Sequence, residues 1–429
     1  MKTPGLAVAA SILALATLDA CTGSDRVVAP VAANLTIASG NDQSGQIGTT
    51  LPVPLKVSVT SSDGAGMADV SVDWAVTSGG GTLSAATTST DADGNTAVIW
   101  TLGSSSGTQS VAATVTTLTT ASFSATAIAP PQTVVLHYNG TAWSTSLETP
   151  DAMRVSLSAI WGSSSSQIFA VGRCTSSTLT LLFAGTAWSQ PPASCGSNGS
   201  LNEFTGVSGI SGSDVFRVGR APLPPSFNGS IDHYDGQTWT EVYHKSCSFC
   251  GGFRAVWTRA HNDAVAVGDA GEIRRYDGTN WNLQTSGTTN NLNAVWGFGT
   301  SSVFAVGDGG AIVYYNGSTW VAQPSGTTQP LYAIWGTSST NAFAVGGGGT
   351  ILHYNGSAWS AQSSGSTMAL RGIWGSSGTS VFAVGNGSTI LFYNGATWTQ
   401  QNANAAMTLR AVWGTSPTNV YAVGSGISY

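Results

Sequence analysis

The sequence predicts an all-β protein of two parts, a β-sandwich followed by a seven-bladed β-propeller closed by strands from both ends of its repeat region. Three observations lead to this prediction. Only 8% of the 429 residues are charged, while Gly accounts for 54 of them. Alternating polar and apolar runs fill residues 31–129, and a 39-residue unit repeats over residues 130–429. Short alternating segments with many turn residues are typical of strands, and a period near 40 is typical of propeller blades.

Residues 1–20 have the features of an export signal. Lys2 precedes the apolar stretch LAVAASILALATL, which is too short to span a bilayer comfortably. The following LDAC, ending at Cys21, resembles a bacterial lipobox. This resemblance implies that Cys21 is acylated and becomes the new N-terminus. Asp19 is unusual in such a box, so ordinary cleavage after Ala20 is the alternative.

Residues 21–30 are expected to form a lipid-anchored tether. Acyl chains would hold the protein at a membrane without a transmembrane helix. Thr22 follows the cysteine, whereas lipoproteins retained at the inner membrane often have Asp there. An outer-membrane or cell-surface location is therefore expected, with a periplasmic or secreted protein as the alternative.

Residues 31–129 predict a sandwich. Strand-like runs at 51–59, 70–76, 95–102 and 109–115 are separated by turns rich in Gly and Asp. The string TDADGNTAVIWTLGSSSG resembles the bacterial Ig-like (Big-1) domains of the invasin/intimin class, over roughly residues 35–117. The resemblance implies a stalk or spacer. Asp91, Asp93 and Asn95 could form a calcium loop, but an Asp-Gly hairpin turn is favoured.

The repeat has two halves that keep their own spacings. The first half contains a Trp that recurs every 39 residues at Trp257, Trp296, Trp335, Trp374 and Trp413, with degenerate copies at Trp161 and Ser208. The second half contains an aromatic residue with a Trp five positions later, at Tyr138, Phe183, Tyr234, Tyr276, Tyr315, Tyr354 and Tyr393. We expect strand A at the VWG segment, B at VFAVG, C at ILHYNG and D after the second Trp.

The repeat region, residues 130–429, begins and ends in the middle of a unit. VVLHYNGTAWS (134–144) is a second half alone, and LRAVWGTSPTNVYAVG (409–424) is a first half alone. Seven copies of each half therefore predict seven blades, one of them built from both ends. Closure of this kind removes exposed sheet edges.

The pattern [YF]-[ND]-G-x-x-W resembles the Asp-box turn of BNR-repeat propellers, and RYDGTNW (275–281) and HYDGQTW (233–239) come closest. Photosystem-assembly and sortilin-type propellers are similar in general character. The resemblance implies that the turn is a folding device and that its aromatic residues belong to the core.

Sialidases share this turn, so a glycosidase is a possible function for this sequence. Glycoside hydrolysis generally needs converging carboxylates, yet no Asp or Glu lies between Gly309 and Tyr429. Seven polar residues share one repeat position, three before the Trp: Ser158, Thr205, Arg254, Asn293, Tyr332, Arg371 and Arg410. They predict either a polar ring at the channel mouth or solvated strand ends. We expect that the protein is not an enzyme and that it binds neither a cofactor nor a metal.

Two units are longer than 39 residues. Trp161 and Ser208 are 47 apart, and Ser208 and Trp257 are 49 apart. The surplus is expected in the B–C loops (around 173–182 and 220–231) and the D–A loops (190–203 and 243–252), which lie on one face. Arg173, Arg220 and Lys245 lie in these loops. The face therefore predicts a recognition surface, and neutral drift of tolerated insertions is the alternative.

The remaining cysteines also lie in these loops. An even number in an exported chain favours disulfides. A four-Cys zinc site has one suitable CxxC half but lacks the second. The residues concerned are Cys174, Cys195, Cys247 and Cys250.

Together these features predict a tethered lipoprotein whose propeller binds a surface protein or glycan on an Ig-like spacer. A periplasmic assembly scaffold is the alternative, and an exo-glycosidase is less favoured. A net charge of −6 argues against nucleic acid as a partner. A monomer is expected.

Overall fold

The computed structural model describes residues 30–129, 132–149, 154–174, 177–189, 203–220, 229–245, 251–403 and 405–426. The chain divides into two compact units, one ending at Ile128 and the other beginning at Ala129. Within the described ranges, no helix has the length and apolar character needed to cross a membrane. Both units are built from strands and short turns. Cys21, Cys195, Cys247 and Cys250 lie outside the described residues.

The first unit contains ten strands. They are β1 (Ala32–Ser39), β2 (Gln43–Gln46), β3 (Leu55–Ser61), β4 (Ser71–Ser78), β5 (Gly81–Leu83), β6 (Thr87–Ser89), β7 (Asn95–Val98), β8 (Trp100–Leu102), β9 (Gly107–Thr114) and β10 (Ala121–Ile128). They form a sheet of order β1–β3–β7, a sheet of order β2–β10–β9–β4–β6 and the pair β5–β8. Strand β2 runs parallel to β10, and the other pairs are antiparallel.

One hydrophobic core lies between the larger sheets of this unit. Alternate residues of β3 are buried, and Trp74 of β4 packs against Phe123 of β10 with ring centroids 5.9 Å apart. The Asp91 carboxylate accepts hydrogen bonds from two backbone N–H groups, those of Asp93 and Asn95, at 3.0 and 2.8 Å. These contacts describe the Asp-Gly turn that the sequence favoured.

The second unit contains 27 strands within its described ranges. The first nine are β11 (Gln132–Tyr138), β12 (Trp143–Thr149), β13 (Ser156–Ser164), β14 (Gln167–Cys174), β15 (Ser177–Phe183), β16 (Glu203–Ser211), β17 (Asp214–Arg220), β18 (Gly229–Tyr234) and β19 (Trp239–His244). Eight more are β20 (Phe253–Ala260), β21 (Asp263–Gly268), β22 (Ile273–Tyr276), β23 (Trp281–Gln284), β24 (Leu292–Gly299), β25 (Ser302–Gly307), β26 (Ile312–Tyr315) and β27 (Trp320–Ala322). The last ten are β28 (Leu331–Ser338), β29 (Asn341–Gly346), β30 (Ile351–Tyr354), β31 (Trp359–Gln362), β32 (Leu370–Ser377), β33 (Ser380–Gly385), β34 (Ile390–Tyr393), β35 (Trp398–Gln401), β36 (Met407–Ser416) and β37 (Asn419–Gly426).

These strands form successive antiparallel sheets in which A pairs with B, B with C and C with D. The sheets are β13–β15, β16–β19, β20–β23, β24–β27, β28–β31, β32–β35 and a sheet of order β12–β11–β37–β36, which we name the closing sheet. In the closing sheet, Val135 of β11 pairs with Val423 of β37, so residues from both ends of the repeat region share one sheet. Four sheets, β20–β23, β24–β27, β28–β31 and β32–β35, keep the 39-residue spacing, and we name them the regular sheets. In the first three a 3-10 turn joins B to C, at Asp269–Gly271, Asp308–Gly310 and Gly347–Gly349.

The contacts within the turn between strands C and D explain the pattern [YF]-[ND]-G-x-x-W. In the β26–β27 turn, the Asn316 side chain accepts hydrogen bonds from the N–H groups of Ser318 and Thr319, both at 3.0 Å. Gly317 has φ of +97°, which favours glycine, and the Tyr315 hydroxyl donates to its carbonyl at 3.0 Å. Each residue type in the pattern therefore has a local structural role.

The VWG segment explains how neighbouring sheets approach each other. A Cβ on Gly297 would lie 2.4 Å from the ring of Trp257 in the preceding sheet, so glycine is required for the contact. Where Ser208 replaces Trp, the next sheet has Thr258 instead of Gly. The Ser208 hydroxyl accepts a bond from the Thr258 N–H at 3.0 Å. A small residue and a larger one have thus exchanged places at this interface.

Aromatic contacts continue across both sides of the closing sheet. Phe382 of β33 packs against Tyr138 and Trp143, with centroids 5.5 and 5.8 Å apart. Tyr421 of β37 packs against Phe183 and Trp188 at 5.7 and 6.1 Å. Phe304 makes the equivalent contacts with β30 and β31. The same packing therefore joins ordinary neighbours and the closing sheet.

A second inter-sheet contact is a hydrogen bond from Trp to Gln. The Trp320 indole N–H donates to the side-chain carbonyl of Gln284 at 2.7 Å, and Trp143 donates to Gln401 at 2.8 Å. The same bond is made by Trp359 and Trp398 to Gln323 and Gln362. It was not predicted, although these glutamines also recur every 39 residues.

The predicted position of the extra residues needs a correction. The segment 173–182 was expected to be a loop, but Arg173 pairs with Thr178 and Gly172 with Leu179. Only residues 175–176 separate β14 from β15. In the next sheet, Arg220 pairs with Gly229. The additional residues therefore partly lengthen the B–C hairpins, because the ladder continues where strands B and C of the regular sheets have already ended.

Candidate functional site

A β-bulge positions the seven polar residues that share one repeat position. In every strand A the antiparallel register shifts by one residue at this place, for example between Leu292 and Ala294 or between Leu409 and Ala411. A bulge leaves its extra residue unpaired and redirects its side chain. The bulged residues are Ser158, Thr205, Arg254, Asn293, Tyr332, Arg371 and Arg410.

These seven side chains line one cavity, which we name the arginine cavity. Its volume is about 200 Å³. Glu203 and Arg220 complete its lining. The bulged residues lie near the start of strand A, whereas Arg220 is the last residue of a strand B. The cavity therefore lies at the end of the sheets where A begins and B ends, which is also the end of the B–C and D–A connections. The sequence had predicted this shared position.

Arg254 and Asn293 are held in a chain of hydrogen bonds. The Arg254 Nε donates to Asp269 at 2.5 Å, and its Nη1 donates to Asn293 at 3.0 Å. The Asn293 amide in turn donates to Asp308 at 2.8 Å and to the Leu331 carbonyl at 2.9 Å. The Arg254 charge is therefore neutralised locally by an adjacent carboxylate.

Arg371 and Arg410 lack such a carboxylate among the described residues. Arg371 donates from Nε to the neutral Asn386 side chain at 2.6 Å and lies over the Tyr332 ring, 5.0 Å from its centroid. The Nε of Arg410 is buried and has no hydrogen-bond partner among those residues. A buried cationic N–H without a partner is costly.

The pKa of Arg410 is lowered, mainly because burial disfavours the charged guanidinium. The Glu203 carboxylate opposes this effect. The positive charges of Arg371, Arg173 and Arg220 lower the pKa further. The arginines therefore repel one another across a small volume.

Glu203 is the acidic residue in the cavity lining. It accepts a hydrogen bond from the Ser158 hydroxyl at 2.9 Å, and its second oxygen lies 3.9 Å from Nη2 of Arg220. That separation is too long for a hydrogen bond. The Nε of Arg220 is also buried without a partner among the described residues. One carboxylate thus faces several arginines.

The structure separates the other two predicted binding residues from this cavity. Arg173, the penultimate residue of β14, is exposed and is not among the lining residues. Lys245 lines a different cavity of about 820 Å³, where it forms an ion pair with Glu272. Arg274 donates to the same carboxylate at 2.8 Å. Of the residues proposed for binding, Arg220 and those of the shared repeat position therefore line the arginine cavity, and Arg173 and Lys245 do not.

Asp232, Asp263, Asp269 and Glu272 would favour a glycosidase if they converged on one pocket, but the four do not all share one. Asp269 and Glu272 line the larger cavity, whereas Asp263 lines another of about 400 Å³. Asp232 is bound by the buried Arg217 at 2.7 Å. Each of the four is paired with a basic residue.

Three histidines and Cys174 make contacts that hold the fold together. His137, His233 and His353 each bond the first residue of a neighbouring strand B, at 2.7–2.8 Å. Cys174 is buried and forms a disulfide, and its pairing stays a prediction because the other cysteines lie outside the described residues. Within the described ranges, no group of three metal-ligating side chains is present.

Comparisons with known proteins agree with this fold. No protein-family profile matches the sequence, and no curated protein matches it. The solved structure of YCF48 bound to D1 peptide is similar, with a TM-score of 0.51 and 16% identity over 64% of this chain and 90% of that chain. YCF48 from Cyanidioschyzon merolae (TM-score 0.48, 15% identity, 63% and 96% covered) and the WD40 propeller domain of Doa1 (0.49, 9%, 68% and 96%) were also found. The first similarity supports a β-propeller fold. The fold and cavity together define a β-propeller with an arginine-lined site at one end of its sheets.

Two features of the site were missed by sequence reasoning. The bulge was not predicted, although it is what turns the shared position into a ring of side chains. The role of Glu203 was also missed. It lies two residues before Thr205, outside the repeat position, so the periodic pattern contained no signal for it.

Proposed function

We propose that the propeller is a seven-bladed recognition head that binds a protein ligand at the end of the sheets carrying the arginine cavity. The observation that supports this proposal most is that two unusual features lie at the same end of the sheets. The cavity and the lengthened hairpins of β14–β15 and β17–β18 occur at the same end of their sheets. Binding residues are commonly presented by connections on a rigid scaffold.

We further propose that this head belongs to a lipoprotein of the cell envelope or surface. Cys21 would carry the lipid anchor, and residues 31–129 would serve as a Big-1-like Ig spacer. Replacing Cys21 with Ser should move the protein from the membrane fraction to the soluble fraction. Unchanged membrane association in the variant would contradict the anchor.

The binding face can be tested by shortening one hairpin. Arg220 and Gly229 form a paired position, so an Asn-Gly turn can replace residues 221–228 without disturbing the ladder. As a matched control, residues 235–238 at the opposite end of the same sheet can be exchanged for the equivalent residues 316–319. Immobilised full chains are then used to capture proteins from envelope extracts.

We expect the shortened hairpin to lose captured proteins that the wild type and the control retain. Equal capture by all three chains would contradict the proposed face. The same chains on a glycan array separate a protein ligand from a glycan. Glycan binding without protein capture would replace the proposed ligand class.

A periplasmic assembly scaffold is the second candidate. The similarity to a propeller bound to a peptide favours it. Protease treatment of intact cells distinguishes the two locations, because a surface protein is degraded and a periplasmic protein is protected.

A further inference from the structure

The charge in the arginine cavity is distributed unevenly around its ring. On one side, Arg254 is paired with Asp269 and Asn293 is bonded to Asp308. That side thus has two carboxylates for one arginine. On the other side, Arg371 and Arg410 have no carboxylate within salt-bridge distance among the described residues. The excess of positive charge therefore lies on the second side of the ring.

Repeat positions explain this asymmetry. Asp269 and Asp308 lie 15 residues after Arg254 and Asn293, where each strand B ends. The residue 15 positions after Arg371 is the neutral Asn386, and that after Thr205 is Arg220. The carboxylate that neutralises Arg254 is thus replaced by an amide or by a further cation. The excess positive charge therefore depends on which residues occupy the bulge position and the position 15 residues after it.

Arg220 and Arg410 line the cavity with few partners for their charge. Their Nε atoms are buried without hydrogen-bond partners among the described residues. Glu203 offers one carboxylate, and its separation from Arg220 Nη2 is 3.9 Å. An oxyanion in the cavity would pair with these guanidinium groups and reduce their mutual repulsion.

We propose that Arg220, Arg371 and Arg410 bind a compact oxyanion, a carboxylate or phosphate group, on the cationic side of this cavity. This inference rests on the proposed recognition function and specifies the chemistry of the ligand. The cavity volume of about 200 Å³ is smaller than that of typical small-molecule sites, roughly 300–1,000 Å³. It therefore accepts the anionic group of a ligand, while the rest of that ligand contacts the surrounding connections.

Binding is tested with small anions on the purified full chain. Isothermal titration at low ionic strength uses inorganic phosphate in one arm and acetate in the other, which distinguishes the two oxyanions. We expect one saturable site whose affinity falls as chloride is added, since the attraction is electrostatic. Absence of saturable binding by both anions would overturn the proposal.

Arg410→Gln is the decisive variant. Loss of a charged hydrogen-bond donor should reduce the affinity for the anion by about tenfold or more. Arg410→Lys should restore part of the affinity, because it keeps the charge but not the planar fork. Arg259→Gln is the matched control, because it also removes one positive charge. Arg259 pairs with Asp263, and both residues line a different cavity.

The wild type and the three variants must have equal circular-dichroism spectra before their affinities are compared. A loss in Arg410→Gln that Arg259→Gln shares would show a general charge effect and overturn the site. The protein-capture experiment with the shortened hairpin is interpreted separately from the anion titrations. Loss of protein capture on shortening 221–228, with no anion binding, would contradict only this inference. Anion binding without face-dependent capture would contradict the proposed recognition function instead.

Discussion

The regular sheets and the irregular sheets of the propeller solve the same packing problem with different residues. The regular sheets are β20–β23, β24–β27, β28–β31 and β32–β35, and the irregular sheets are β13–β15 and β16–β19. Between regular sheets, a Trp lies over a Gly, as for Trp335 and Gly375. Between β16 and β20, Ser208 and Thr258 take these places. A hydrogen bond between two small polar residues thus replaces the contact of a large ring with a glycine.

The two regions also differ in how charge is buried. Arg217 of the irregular region bonds Asp232 and lies between the rings of Phe204 and Trp239, 3.9 and 4.1 Å from their centroids. Burial lowers its pKa, and Asp232 opposes the shift. The regular sheets have an alanine at this position of strand B, as at Ala305, which pairs with Val313. Among the described residues, buried ion pairs therefore occur in β16–β19 and in its regular neighbour β20–β23, whereas the sheets from β24 to β35 depend on apolar packing in this part.

The largest expected effect comes from forcing the regular pair into the irregular interface. Ser208→Trp should destabilise the chain by about 3 kcal/mol, because the ring would overpack against Thr258. Adding Thr258→Gly should recover most of this loss by restoring the Trp–Gly combination. Thermal and denaturant unfolding of the three variants measure the coupling. Additive losses would show that the two positions do not compensate each other.

The reverse change tests the regular interface. Gly297→Ala places a Cβ 2.4 Å from the Trp257 ring and should cost about 1–3 kcal/mol. Thr258→Ala, at the equivalent irregular position, should cost less because space for a side chain already exists there. Denaturant midpoints compare them, and equal losses would argue against the steric explanation.

An intermediate effect is expected from the Trp–Gln hydrogen bond. Gln323→Ala leaves the buried indole N–H of Trp359 without its acceptor, so we expect a loss of about 1–3 kcal/mol in the free energy of unfolding. Gln323→Glu keeps an acceptor and serves as the control. A loss in Gln323→Glu as large as that in Gln323→Ala would contradict the hydrogen-bond explanation.

A smaller difference is expected where this bond is missing. The Trp281 N–H has no partner within the described ranges. The ladder of the preceding strand bulges at Val242, so Tyr243 takes the pairing position that Gln284 has in a regular sheet. Trp281→Phe should therefore cost about 1 kcal/mol less free energy of unfolding than Trp359→Phe, because only the second change removes a hydrogen bond. Denaturant unfolding compares the two variants, and equal losses would contradict this explanation.

The smallest effect is expected from pH. Burial lowers the pKa of His353 from the ordinary 6.5, so the unfolded chain binds this proton more readily than the folded chain. Stability should therefore fall as the pH drops below about 6.5 and level off below the folded pKa. His353→Gln should reduce this slope and leave stability at pH 8 nearly unchanged. Unfolding curves between pH 8 and pH 5 measure the difference, and an unchanged slope would exclude His353 as the cause.

Much of the site could be predicted from periodicity. Arg254, Arg371 and Arg410 share one position of the repeat, and identical positions in successive sheets must lie around a common axis. The bulge could not be predicted, because it depends on a ladder register that many sequences can adopt. The pairing of Arg254 with Asp269 also required the structure, since only the cross-strand geometry shows which acid reaches which arginine.

The sequence by itself determined the all-β character, the positions of strands A to D and the shared position of the polar ring. These follow from local patterns, namely alternation, turn chemistry and a fixed repeat length. The tertiary structure alone decided which arginines are neutralised, where the extra residues extend a hairpin, and that Ser208 and Thr258 replace a Trp–Gly pair. These depend on contacts between residues distant in sequence, where volume and charge must match across an interface.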